Sequence, residues 1–179
     1  PAVAYVYAPD RKAERPMAHL AGFTGVLQID GYGGYRPLAE QGLVQLAFCW
    51  AHVRRRFYEL AVAGPAPIAT EALAQIKALY AVEAEICRLE PAARRAIRQA
   101  KSCPLVEAME PWLRAKLATI SQKTKLAEAI RYALARWVGL TLFLEDGRIE
   151  LDNNTVERAI RPICLSRKNS LFASGDDGG

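Results

Sequence analysis

Apolar positions change period along this chain. Ala2–Tyr7 (AVAYVY) places β-branched and aromatic residues at alternating positions and predicts a strand. Pro9-Asp10-Arg11-Lys12 predicts a turn, and Pro16–Gly22 a short helix ended by glycine. Gly25–Asp30 (GVLQID) is a short apolar run into Gly31, and Leu43–Trp50 (LVQLAFCW) is another; both predict buried strands. From Arg54 to Leu144 the spacing becomes helical. After the Gly64-Pro65-Ala66-Pro67 break, Ile68, Leu73, Ile76, Leu79, Tyr80 and Ile86 fall near one helix face. Beyond Pro91 and Pro104, Leu105, Met109, Trp112, Leu113, Leu117 and Ile120 form a second stripe. Leu126, Ala129, Ile130, Ala133, Leu134, Trp137 and Val138 form a third. Antiparallel packing of such stripes predicts a small helical bundle. Asp146-Gly147 predicts a turn and Ile149–Leu151 a short strand. Asp152-Asn153-Asn154-Thr155 has the composition of a helix start, with Val156–Ile160 helical. The layout is a three-strand sheet, a helical block, and a helix returning to the sheet, an α/β class.

Size and composition narrow the class. A chain of 179 residues, 51% hydrophobic and 24% charged, has ordinary globular usage and can build its core without disulfide staples. The longest nearly apolar stretch, Leu43–Val53, is interrupted by Gln45 and His52 and is too short to span a bilayer. No basic-then-apolar leader opens the chain, so no secretion signal is read. Cys49, Cys87, Cys103 and Cys164 lack paired spacing and read as reduced thiols of a cytosolic protein. The net charge of +5 is concentrated. Residues 53–148 hold sixteen basic and ten acidic side chains, whereas 1–52 balance and 149–179 are slightly acidic. A basic middle suits a polyanion such as nucleic acid; it equally suits a solvated helical surface.

Several residues can carry chemistry. Asp30 ends an apolar strand and runs into Gly31-Tyr32-Gly33-Gly34-Tyr35. A carboxylate there faces the crevice where open α/β sheets bind ligands, although Asp-Gly is also a common turn pair. Asn154-x-x-Glu157 approximates a capping box, and Glu157 could pair with Arg161 one turn on. Alternatively, Glu157 is a metal-binding carboxylate presented to the sheet, because Asp152, Asn153 and Thr155 already offer more caps than one helix needs. Cys49 and His52 have a spacing that zinc ligands use, but zinc needs three or four, and His19 is the sole other histidine. A Cys–His nucleophile and a buried thiol with a supporting imidazole are the other readings. Arg54-Arg55-Arg56 reads as a phosphate-facing patch or as solvated charge. Arg158, Arg161, Arg167 and Lys168 gather around and after Glu157, as a phosphodiester substrate would require or as a helix decorated with ion pairs.

Four strings, GVLQIDGYGGY, CWAHVRRRF, DGRIELDNNTVERAIRPI and RKNSLFASGDDGG, in this order and spacing, resemble the transposases of the insertion-sequence-66 family of bacterial mobile elements. The resemblance covers essentially the whole chain, and Asp152–Pro162 is its most specific part. It implies a DDE transposase with a partial ribonuclease-H-like core interrupted by an all-α insertion. Residues 1–57 would be core strands, 58–148 the helical insertion and 149–179 the return to the core. Asp30 matches the second acidic residue, at the end of the fourth strand, and Glu157 the last, on a helix after the insertion. Both would be catalytic and would bind Mg²⁺ or Mn²⁺. Cys49 and His52 resemble a C-x-x-H pattern that follows the second Asp in related transposases. His52, Arg54, Arg55, Arg158, Arg161 and Lys168 would contact DNA or support the site. The partner implied is DNA, the element's ends and its target, with a homo-oligomer for the complete enzyme and a bacterial cytoplasmic, nucleoid-associated location. Just 29 residues precede Asp30, and Asp10 sits in a turn, so the first catalytic Asp is expected to be missing and the chain to be an inactive piece of a longer protein. The competing expectations are a non-catalytic basic module that binds DNA or a partner, and another metal-dependent nuclease.

Overall fold

The computed structural model describes residues 4–42 and 44–169. The protein is mixed α/β and mostly helical (66%), with a two-stranded parallel sheet among the described residues. Helix α1 (Glu14–His19) precedes strand β1 (Gly25–Ile29). Parallel strands cannot be joined by a tight hairpin, and here the crossover is a 3-10 turn at Gly33–Tyr35 and helix α2 (Arg36–Glu40). It delivers the chain to β2 (Val44–Phe48), with Gly25 opposite Val44 and Ile29 opposite Phe48. Both apolar runs thus form strands, as their patterns predict.

Seven more helices follow: α3 (Trp50–Ala63), α4 (Pro67–Ile86), α5 (Pro91–Ile97), α6 (Cys103–Thr119), α7 (Lys125–Leu134), α8 (Trp137–Thr141) and α9 (Asn154–Asn169). Pro67 and Pro91 stand in first turns, where the missing N–H breaks no bond. Thr124 caps α7, its Oγ1 accepting the Ala127 amide at 3.1 Å. Between α5 and α6, Arg98–Ser102 forms a π turn just before Pro104, which has no N–H to continue the normal ladder.

The three helical stripes meet in one core. Trp50, Val53 and Phe57 of α3 pack with Ile76 and Leu79 of α4, Met109 and Leu113 of α6, Ile130 of α7 and Leu140 of α8. Trp50 is fully buried, meets Trp137 edge-on at 5.7 Å between centroids, and donates its indole N–H to the Leu140 carbonyl at 2.9 Å. Gly139 lets α8 lie directly on β2, since a Cβ there would strike the Leu46 carbonyl and the Phe48 ring.

A buried ionic network holds the end of this block. Arg98 is fully buried. It makes two 2.7 Å hydrogen bonds to Glu83 and donates to the carbonyls of Phe143 (2.9 Å), Asp146 (3.3 Å) and Ile149 (2.9 Å). Arg94 bridges Glu83 and Glu150. Five donors in a planar fork suit a guanidinium to this clamp.

Two predicted strands do not form. Ala4–Tyr7, the described part of the first, is irregular, with Tyr5 and Val6 more than half exposed. Its alternation is not matched by a ladder neighbour, since β1 and β2 alone pair among the described residues, and Tyr5 instead donates its hydroxyl to the Ala159 carbonyl of α9 at 2.7 Å. Ile149–Leu151 is likewise not a strand. Its carbonyls are taken by side chains and one amide: Ile149 by Arg98, Glu150 by Gln28 (2.7 Å) and Leu151 by the Trp50 N–H (3.1 Å). Those bonds satisfy the backbone without a ladder. No helix among the described residues is long and apolar enough to cross a membrane.

Candidate active site

The carboxyl ends of β1 and β2 are where the candidate residues converge. Ile29 pairs with Phe48, so Asp30 and Cys49 are the next residues off the two strands. The strand ends carry them to the same edge. Asp30 Oδ1 accepts the Tyr32 amide at 2.9 Å, and Gly31 follows at φ +97°, a conformation that favours glycine. The turn reading of Asp30 is therefore correct as local geometry. It uses one carboxylate oxygen and leaves the side chain exposed.

The start of α9 docks onto the same edge. Gln28, two residues before Asp30 and on the same side by strand alternation, donates to the Glu150 and Asp152 carbonyls. Cys49 Sγ accepts the Asn153 amide at 3.4 Å. Burial pushes the Cys49 thiol up from its ordinary pKa, so it stays protonated at neutral pH and serves as a weak acceptor, not as a nucleophile. Asp152 accepts the Tyr80 hydroxyl at 3.0 Å, the Asn154 amide at 3.0 Å and the Asn154 side-chain amide at 2.6 Å. Burial, then the Asp152 charge, raise the Tyr80 phenol well above its ordinary value, so it remains a donor.

The capping-box reading needs correction. The Asn153 carbonyl accepts from the Val156 and Glu157 amides at 3.0 and 3.1 Å, so Asn153 holds the cap position and Val156, not Glu157, stands third in the helix. The cause is Asp152, which takes the Asn154 amide and starts the helix one residue early. Glu157 is thereby free of capping. Its Oε1 lies 3.7 Å from His52 Nε2, and it makes no ion pair with Arg161 among the described residues. His52 Nδ1 and Asn153 Oδ1 are buried without a hydrogen-bond partner.

The structure thus joins Cys49 to Asn153 and His52 to Glu157 by contact, ties Asp152 to Gln28 and Tyr80, and sets Asp30 at the same edge by strand register. The arginines divide. Arg54 lies over the Tyr58 ring at 5.7 Å and lines a groove of about 730 Å³ with Lys77, Tyr80 and Asn154. Arg55 is exposed and pairs with Glu59 at 4.0 Å. Arg158 donates to Thr155 at 3.3 Å, and Arg161 is exposed on α9. The side chain of Lys168, and those of Cys164 and Arg167, lie outside the described ones. His19 is exposed on α1, and no group of three or more His, Cys, Asp or Glu side chains among the described residues could hold an ion alone. Lys77 and Tyr80 stand outside every motif, and Gln28, inside the GVLQIDGYGGY string, is not singled out by it. Tyr80 was read as core, and its hydroxyl was the one clue to a second role.

Comparison with known proteins gives the ancestry. Three curated relatives, all from Sinorhizobium fredii (strain NBRC 101917 / NGR234), are the uncharacterized proteins y4qI, y4hP and y4jD. They are 45%, 40% and 39% identical over 100%, 99% and 100% of this chain. The chain spans about a third of their length (34%, 35% and 36%). No solved structure matches significantly. The sequence profile of the IS66 family transposases matches residues 1–179, the full length given, and the chain belongs to that family.

Proposed function

We propose that this chain carries part of the catalytic centre of a DDE transposase, on a ribonuclease-H-like core that residues 58–148 interrupt. The single observation that carries this reading is the docking of α9 at the carboxyl ends of two parallel strands, across more than a hundred residues of sequence. It is supported by Trp50 to Leu151, Cys49 to Asn153 and His52 to Glu157 contacts. Two parallel strands make a marginal sheet by themselves and usually belong to a larger one with both faces covered.

Asp30 and Glu157 are proposed as metal ligands. Two exposed carboxylates fit Mg²⁺ or Mn²⁺, hard ions commonly held by one or two carboxylates with water and substrate phosphate completing the shell. When bound, such ions activate the attacking oxygen and stabilise the leaving one in phosphoryl transfer. His52 would orient Glu157, and Cys49 would fix the entry to α9. Arg54 and Lys77, neither in an ion pair among the described residues, give the adjoining groove a positive wall suited to DNA phosphates. Tyr58 and Tyr80 supply aromatic surface beside them. Homo-oligomerisation and the joining of element ends to target belong to the longer protein and are proposed for it.

The test is localisation of the ion. Fe²⁺ with ascorbate cuts a backbone near the place where the iron is held. Cleavage beside Asp30 and beside Glu157, suppressed by excess Mg²⁺ and lost in Asp30→Asn and in Glu157→Gln, is the expected pattern. Cleavage elsewhere, or unchanged in both variants, overturns the assignment. Retained DNA binding in that case would favour a basic binding module instead. The same substitutions at the matching positions of a full-length relative should abolish transposition.

A further inference from the structure

We infer that Arg56, Tyr132 and Arg136 form a clamp for a phosphodiester group of DNA beside Asp30; Arg56 belongs to the arginine run of the sequence, whereas Tyr132 and Arg136 stand in no motif. The inference rests on the functional reading above and adds to it residues of the helical block. Arg56 Cζ and Arg136 Cζ each lie 3.8 Å from the centroid of the Tyr132 ring. Two guanidiniums cannot share one face of a ring at that distance, so they sit on opposite faces, no more than twice 3.8 Å apart. Neither makes an ion pair among the described residues. The ring attracts each cation, but the cations repel one another and have no counterion among the described residues.

The position of this stack gives it meaning. A Cβ built on Gly31 would lie 2.9 Å from the Tyr132 hydroxyl and 3.5 Å from Arg136 Nε. The clamp therefore abuts the backbone immediately after the Asp30 carboxylate. Arg136 also lies over the Phe48 ring at 5.6 Å, which fixes its stem against the end of β2. One of its nitrogens donates to the Tyr132 carbonyl at 3.3 Å, while Nε is buried with no partner. Planar guanidiniums with free N–H groups bind phosphate oxygens in pairs, which a lysine cannot reproduce. Arg56 comes from α3 and Arg136 from the turn between α7 and α8, so both the sheet-proximal helix and the helical block contribute.

The experiment is DNA binding by the whole 179-residue chain, followed by anisotropy of a short labelled duplex between about 50 and 200 mM salt. Arg56→Gln and Arg136→Gln should each weaken binding about five- to tenfold and lower the salt slope by about one. Arg136→Lys should recover most of the slope, because charge returns, and less of the affinity, because the planar fork does not. Arg148→Gln, whose partner Asp146 already neutralises it, should leave both unchanged. Wild-type affinity and slope in Arg56→Gln and Arg136→Gln, with Arg54→Gln still impaired, overturns the clamp and leaves the proposed function standing. Absence of DNA binding by the unaltered chain overturns both. Thermal melting checks that the variants fold, and a second readout needs no variant: DNA should shield Arg56 from phenylglyoxal, and equal modification with and without DNA overturns the clamp.

Discussion

Arg98 shows what a single side chain can decide in this molecule. It is a fully buried cation whose side-chain hydrogen bonds all go to a carboxylate or a backbone carbonyl, with the Phe143 ring 5.3 Å from its guanidinium. Removing one partner of such a pair typically costs about 3–5 kcal/mol, because the other charge is left buried alone. Arg98→Ala should therefore lower the melting temperature sharply, and Glu83→Gln should do so to a smaller degree, as read by calorimetry. Loss of less than about 1 kcal/mol would mean that water replaces the guanidinium. Exposed pairs behave differently. Arg148, by hydrogen bond and charge, pulls the Asp146 carboxyl down to about 2 from its usual 3.8. The folded value lies below the unfolded one, so the pairing favours the fold above about pH 4 and is lost as pH falls toward 2. The contribution is small because both groups face solvent. An NMR titration of Asp146 should show the low midpoint, and Arg148→Gln should return it to the ordinary range. None of the Arg98 network is legible in the sequence. Arg94 and Arg98 look like solvated helix charge until the fold brings Glu83 and Glu150 against them.

At the scale of elements, the periodic signals were the reliable ones. Three helical stripes predicted from spacing became α4, α6 and the α7–α8 pair, because each buries most of its apolar face in one core, whereas Val138, counted in the third stripe, faces away from it and is exposed. The parallel strands were legible for the same reason: Ile29, Val44 and Ala47 are buried, so their apolar runs reflect real burial. Alternation failed at Ala4–Tyr7, where no neighbouring strand gives it a use among the described residues. The start of α9 was legible as a helix start but not in register, since the choice between Asn153 and Asn154 depends on where the Asp152 carboxylate turns. That choice is testable. Asp152→Ala removes bonds to Tyr80 and Asn154 and should cost about 1.5–3 kcal/mol, the range for hydrogen bonds to a charged group. Tyr80→Phe should cost less, since Asn154 still holds the carboxylate. Equal losses would place the strength of the junction in the phenol. Gly139→Ala should also destabilise, by about 1–3 kcal/mol, because α8 must lift from β2 to admit a methyl group.

At the scale of the whole molecule, Asp30, Cys49, His52 and Glu157 could be singled out because they stand in short dense motifs. Their placement at one edge was an expectation of the family resemblance and not of spacing, since it depends on a docking that spans residues 50 to 151. Arg136 and Tyr132 carry no motif and sit at the end of a core stripe, so their role beside Gly31 emerges only from packing. The basic middle of the chain was a correct hint of unevenness but not of place. Part of that charge is consumed internally by Arg94 and Arg98, and part is presented at the groove and the Tyr132 stack.

The hydrogen bond from Trp50 N to the Leu151 carbonyl closes a circuit. The chain leaves the strand edge at Trp50, makes the whole helical excursion, and comes back to its point of departure. A detour whose two ends touch tolerates added length in its outer connections, since doubling a flexible closed loop adds only about 0.6 kcal/mol of closure entropy. What must be kept is the doorway itself, Trp50 on one side and Leu151 on the other, together with the inner face on which Tyr80, Tyr132, Arg136 and Gly139 meet the sheet and its edge. The outward surface of the excursion is then free to diversify while the carboxylates on either side of the doorway keep their places.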